Sequence, residues 1–195
     1  MILRYFFDVV CPYSYIMGFE VDEAEDGGLA EIEWLPFELR PAPAPLPEPR
    51  GEYIRGHWRG QVYALADEHG VEIHVPRYQP RSTLALALHA FAVEEGRGRQ
   101  FRNAAHRAFF VEGLNVGDDA VLREAATEAG LDDGVALEAA WDPARLAALR
   151  RVREGALRLG VHGVPTVATA DEILFYGAAP RGRLRSMLAR ELERR

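Results

Sequence analysis

The sequence predicts a mixed α/β fold: a β-α-β unit at the N-terminal end and a β-β-α unit at the C-terminal end share one sheet, with a large all-helical insertion between them. Three observations predict it. Apolar and aromatic residues crowd positions 2–7, alternate with acids over 30–39, and leave a helix-length stretch between those two runs. Five prolines at every second position, Pro41, Pro43, Pro45, Pro47 and Pro49, then exclude both helix and central strand. Beyond them the apolar period is helical from Tyr53 to about Leu159 and returns to strand spacing at Thr166.

Taken in order, Ile2-Leu3-Arg4-Tyr5-Phe6-Phe7 reads as a buried strand that ends shortly before Pro12. Pro12 suits a first helical position, and Tyr15, Ile16, Phe19 and Val21 make a helix that stops at Gly27-Gly28. Ala30 to Leu39 reads as a second strand, with Ile32, Trp34 and Phe37 set against Glu31 and Glu33. The proline run reads as a stiff extended spacer. Helices are expected near 53–69, 82–95, 98–112, 118–129, 133–140 and 144–159, with an irregular piece carrying Val71, Ile73 and Val75; Asp118 and Asp142 are candidate caps. Thr166–Ala170 and Glu172–Tyr176 read as an antiparallel hairpin about Asp171. Residues 180–194 close as an amphipathic helix with Leu184, Met187, Leu188 and Leu192 on one face. The expected organisation is one domain from 1–40 plus 160–195, with a helical lid subdomain over 50–159.

Composition narrows the chemistry. The 195 residues are 48% hydrophobic, enough for one core with an inserted subdomain. Net charge is −7 and no long basic run occurs, which argues against a nucleic-acid partner. No stretch approaches the length of a membrane span, and the N-terminal apolar run is too short for a signal-peptide core, so the expected location is the reducing cytoplasm. All 23 basic residues are arginine, so phosphate-loop, Schiff-base and Ser-Lys chemistries that need lysine are excluded. A lone cysteine excludes an internal disulfide.

That cysteine stands where the first strand hands over to the first helix, in Cys11-Pro12-Tyr13-Ser14. First-turn N–H groups are unpaired and the helix dipole is positive there, so a thiolate at Cys11 is expected to be favoured. Ser14, three residues on, is expected to aim a donor at the same sulfur. The bland alternative is a buried structural cysteine.

Asp8-Val9-Val10-Cys11-Pro12-Tyr13-Ser14-Tyr15 resembles the active-site opening of DsbA-like thioredoxin-fold proteins, and His162-Gly163-Val164-Pro165-Thr166 resembles their loop with a cis proline. Trp34–Leu39, Ala104–Arg107, Gly113–Val116 and Phe175–Pro180 extend the resemblance over nearly the whole chain, toward FrnE-like proteins and the 2-hydroxychromene-2-carboxylate isomerase and kappa-class glutathione transferase relatives. It implies a thioredoxin-like fold and a cis Pro165. It also implies catalytic roles for Cys11 and Ser14, and a substrate groove formed by Pro12, Tyr13, Val164 and Pro165, where the Val164 backbone pairs with an extended peptide or glutathione.

The pattern departs from the disulfide oxidoreductases at Ser14, where they carry a second cysteine, so this chain has no internal thiol to resolve a mixed disulfide. It departs from the glutathione-dependent relatives at Cys11, where they carry serine, and at Ala178 and Ala179, where they carry a polar pair. The leading expectation is therefore a monothiol thiol-disulfide oxidoreductase. Its partner would be a disulfide-containing peptide or small thiol, with no covalently bound cofactor and with glutathione or another low-molecular-weight thiol as co-substrate. A glutathione-dependent isomerase or transferase and a non-enzymatic peptide-binding module stay open, as does a homodimer.

Other candidates carry less. His69 and His74 are five apart, off the spacing that puts two metal ligands on one helix face, so no metal site is expected. His106 reads as a satisfied packing residue. Arg55, Arg77 and Arg81 are candidates to line a lid groove, and Asp8 to act on Cys11 electrostatically or to cap a turn.

Overall fold

The computed structural model describes residues 2–193. In chain order the elements are β1 (Ile2–Phe7), α1 (Pro12–Asp26), β2 (Glu31–Pro36), α2 (Glu52–His57), a π-helical turn (Trp58–Val62), α3 (Tyr63–His69), α4 (Thr83–Glu94), α5 (Gly98–Phe110), α6 (Asp119–Glu128), α7 (Asp133–Trp141), α8 (Pro143–Leu159), β3 (Thr166–Ala168), β4 (Ile173–Tyr176) and α9 (Arg183–Glu193). The sheet order is β2-β1-β3-β4; β1 and β2 are parallel, and β3 runs antiparallel to both β1 and β4. The β-α-β and β-β-α units thus meet at β1 and β3, as expected, and share one mixed sheet.

Strand alternation sorts the side chains of β1 onto two faces. Leu3, Tyr5 and Phe7 point into the core with Met17, Val21 and Ala24 of α1, Leu86 and Leu88 of α4, and Phe101 of α5. Phe6 points the other way, onto Cys11, Phe37, Ala156, Val161 and Val164. A third cluster holds the helices that follow the proline run, with Ile54, Trp58 and Val62 packed on Phe109 and Phe110. Burying each of those three side chains is worth about 2 kcal/mol, so that roof is held by packing as well as by covalent connection.

The expected elements sit within a few residues of the observed ones, and the exceptions have local causes. The second strand ends at Pro36 and not at Leu39, because the Leu39 amide leaves the ladder and donates to Asp8 Oδ2 at 2.8 Å. The strand's free edge is blunted. Phe37 donates toward β1 at 2.8 Å, so Ile32, Trp34 and Pro36 face outward; the Ile32 amide is taken by Glu25 Oε1 at 3.1 Å, and Pro36 has no N–H. The helix expected over 53–69 is continuous but contains the π-helical turn at Trp58–Val62. Asp118 and Asp142 cap α6 and α8 as expected, and Asp132 also caps α7, accepting from Val135 at 2.9 Å. In α9, Leu184 and Leu188 are buried. The expected contribution of Leu192 and the position of residue 194 lie outside what is described.

Candidate active site

Cys11 is the N-cap residue of α1, with extended backbone (φ −91°, ψ 115°), and Pro12 takes the first helical position. Because Pro12 has no N–H, the first amides that the helix leaves unpaired are those of Tyr13 and Ser14, and both point at the Cys11 sulfur. The Ser14 hydroxyl donates to the same sulfur. Ser14 is fully buried, and its Oγ accepts from the Asp8 amide at 3.4 Å. Ser14 therefore lies against the sulfur.

The expectation of a standing thiolate is not met. Cys11 is only 4% exposed, and burial pushes its thiol up to about 11. The Ser14 hydroxyl and the two first-turn amides pull it down, but loss of solvent outweighs them, and Asp8 adds like-charge repulsion. The resting group at neutral pH is the thiol, whose Sγ–H donates to the Val164 carbonyl at 3.5 Å. The dipole argument holds in direction and fails in magnitude, because helix position says nothing about how deeply the sulfur is covered.

Val164 arrives from the loop between α8 and β3. The Val164–Pro165 bond is cis. Thr166 Oγ1 donates back to the Gly163 carbonyl at 2.8 Å, and the Gly177 amide donates to the Pro165 carbonyl at 2.8 Å. An added Cβ at Gly163 would stand 2.7 Å from the hydroxyl of the exposed Tyr176, whose ring would have to swing aside.

A cavity of about 210 Å³ opens over the sulfur. Cys11, Pro12, Tyr13 and Val164 line it, together with Asp8, Val10 and Leu39. Pro165 is buried behind Val164 and does not line it. Four of the six expected site residues therefore share one wall, with Ser14 beneath and Pro165 behind.

The opposite wall was not foreseen. Leu46 and Pro47 close one side, so the proline run is part of the cavity and more than a spacer. Tyr53, Ile54, His57 and Trp58 close another, and Tyr13 reaches across to them through a hydrogen bond of 2.8 Å to Gln61 Oε1 and an edge-on contact with His57 at 5.3 Å. Nothing in the local pattern of these residues marks them. Their role depends on contacts more than forty positions apart in the chain. Arg81 braces the wall from outside by donating to the Arg40 carbonyl at 2.5 Å, whereas Arg55 and Arg77 do not line the cavity.

Asp8 is both a turn cap and an electrostatic neighbour. It is fully buried; its Oδ1 accepts from Val10 at 3.3 Å and its Oδ2 from Leu39 at 2.8 Å. Burial still pushes its carboxyl up to about 6, against the hydrogen bonds from Leu39, Ser82 and Val10. No group of three or more candidate metal ligands occurs among the described residues. His69 instead bonds the Ala179 carbonyl at 3.0 Å and faces Glu20 at 3.6 Å, which ties α3 to α1 and the approach to α9.

A DSBA-like thioredoxin domain model matches residues 2–189. The chain belongs to that family. The Bacillus subtilis protein YwbO, itself uncharacterized, is 31% identical to it over 180 residues, 88% of each chain. Among solved structures, a probable DsbA oxidoreductase from Streptomyces coelicolor, SCO1869, superposes with a TM-score of 0.84 at 26% identity, covering all of this chain and 91% of that one. A 2-hydroxychromene-2-carboxylate isomerase superposes at 0.83 with 20% identity, covering 100% and 97%. The cytosolic disulfide reductase DsbM of Pseudomonas aeruginosa, solved with GSH, superposes at 0.72 with 20% identity, covering 100% and 98%. At 20% identity the last two share the DSBA-like fold with this chain, and nothing narrower follows from them. No helix among the described residues is long and apolar enough to cross a membrane.

Proposed function

We propose that this DSBA-like protein is a monothiol thiol-disulfide oxidoreductase that reacts through a mixed disulfide at Cys11. The observation that carries this reading is the convergence on one sulfur of the Ser14 hydroxyl and the Tyr13 and Ser14 amides, at the floor of a cavity. Those donors face the position where negative charge develops as the sulfur attacks, so they stabilise the reacting thiolate more than the resting thiol. Tyr13, Val164 and the Pro165 loop would hold the substrate, a disulfide-bearing peptide or a small disulfide. With no second cysteine in the chain, release needs an external thiol, for which glutathione in a reducing cytoplasm is the natural co-substrate. The GSH-bound DsbM neighbour is consistent with that choice.

The test is to incubate the protein with oxidised glutathione and follow its mass. One glutathionyl adduct at Cys11 is expected, stable until reduced thiol is added and absent in Cys11→Ser. In Ser14→Cys, the new neighbouring thiol should displace the glutathione without any added thiol. Failure of the wild-type chain to form an adduct would overturn the reading.

A glutathione-dependent isomerase or transferase is the second reading, favoured by one observation: the aromatic wall of Tyr13, Tyr53 and Trp58 suits a flat, electrophilic small molecule. Calorimetry separates the two. Firm binding of reduced glutathione without any reaction with disulfides would favour the second.

A further inference from the structure

We infer that Asp8 is the proton acceptor that lets the buried Cys11 thiol react, an inference that rests on the mixed-disulfide reading above. Two requirements of the site conflict. Attack on a disulfide needs a thiolate, yet the resting sulfur is a covered thiol. A nearby group that receives its proton would lower the cost of making that thiolate.

The groups within reach are few. From β1 and the turn after it come Tyr5 and Asp8; from α1, Tyr13; from the segment after β2, Glu38 and Arg40; from α2, Tyr53 and His57; from the start of α4, Ser82. A guanidinium offers only donors, and a phenol is a poor place for a thiol proton beside a carboxylate, which sets aside Arg40 and the three tyrosines. Glu38 accepts from Thr83 at 2.6 Å, does not line the cavity, and bears on Asp8 only as a like charge. His57 packs between Tyr13 and Tyr53 in the opposite wall. Asp8 alone is a fully buried carboxyl on the same wall as the sulfur, three residues before it, and its carboxyl protonates in the range where a cellular acid-base group must work.

Electrostatics favours this route over ionising Cys11 while Asp8 stays charged. With Asp8 ionised, ionising Cys11 as well would put two negative charges into one small cavity, which is why each raises the cost of the other. Passing the proton from sulfur to carboxylate keeps a single charge and moves it onto the sulfur that Ser14 and Tyr13 are placed to stabilise. The cavity of about 210 Å³ has room for water to carry the proton across. The step balances. The Cys11 S–H bond breaks, and its proton passes to the Asp8 carboxylate. The sulfur's electron pair forms the new S–S bond, the substrate's S–S bond breaks, and the departing sulfur leaves with that pair and takes the proton back from Asp8. One disulfide is exchanged for another, with no outside oxidant or reductant.

The rate of adduct formation with oxidised glutathione, followed by mass from pH 4.5 to 9, distinguishes this role from simple repulsion. In the wild type the rate is expected to climb through an inflection near pH 6, as Asp8 becomes able to accept a proton. Asp8→Asn should lose that inflection and react at least tenfold more slowly at pH 7. Had Asp8 acted only as a like charge, its removal would ease ionisation of Cys11 and Asp8→Asn would react faster; that outcome overturns the inference. Asp8→Ser, which leaves a small acceptor for the Leu39 amide, should behave as Asp8→Asn does. The wild-type profile decides the matter even where neither variant folds. A rate that rises only toward pH 11 overturns the role of Asp8 and leaves the mixed-disulfide reading intact. No adduct at any pH overturns both.

Discussion

Two regions of this protein bury ionisable groups, and acid acts on them in opposite senses. Around Cys11 the buried acid is Asp8, whose carboxyl is raised to about 6. Its folded form holds a proton more tightly than the unfolded chain does, so its contribution to stability is greatest below the ordinary carboxylate range and is lost as pH climbs through 6. Beneath Trp34 the buried groups are His89 and His106, both held neutral by burial, with His89 lowered to about 3. There the unfolded chain takes up protons first, so stability is complete above 6.5 and is lost as pH falls toward 3. The first region opens to a cavity, and its polar atoms have partners. The second borders an open groove along β2, and several of its buried polar atoms go unmet: Arg102 lies 3.4 Å over the Trp34 ring and pairs with Asp22 at 2.6 Å, while both ring nitrogens of His89, Nε2 of His106 and Nε1 of Trp34 have no partner.

The comparison teaches that neither burial nor size marks the reactive place. A groove of about 950 Å³ along β2 is far larger than the Cys11 cavity and shares none of its lining residues. Its arginines are already neutralised, Arg99 by Glu25 and Asp26, Arg145 by Glu94 and Arg102 by Asp22. What sets the Cys11 cavity apart is a nucleophile with donors aimed at it.

The sharpest way to break the comparison is to remove Arg102. Arg102→Ala leaves Asp22 with only its looser 3.5 Å contact to Arg99 and uncovers Trp34, at an expected cost of about 3–4 kcal/mol in urea unfolding, while adduct formation at Cys11 should stay within about twofold. A matching loss of Cys11 reactivity would show that the two regions are coupled. Next in size is the acid response. Against wild type, His89→Leu should gain about 3 kcal/mol by pH 4, read as a flatter dependence of Tm on pH. Parallel profiles for the two proteins would mean that His89 is not held neutral. Ser14→Ala should slow adduct formation about tenfold at pH 7, since a hydrogen bond to a charged group is lost, and cost about 1 kcal/mol of stability. An unchanged rate would remove Ser14 from the chemistry. Smallest in stability is Cys11→Ala, expected within about 1 kcal/mol of wild type because its one carbonyl contact is a weak S–H bond of 3.5 Å. A larger loss would return Cys11 to the role of a packing residue.

By itself the sequence determined the β-α-β and β-β-α units, the helical block between them, and the place of Cys11, Pro12 and Ser14 at a helix start. These are local matters, because Pro12 and the capping aspartates act within one turn and strand alternation acts within a few residues. Only the tertiary structure decided that the proline run bends back to wall the cavity, that Leu39 leaves its strand for Asp8, and that the sulfur rests as a thiol. Solvent exclusion decided the last of these, since it is set by every element that packs over a residue and by none of that residue's neighbours in the chain alone.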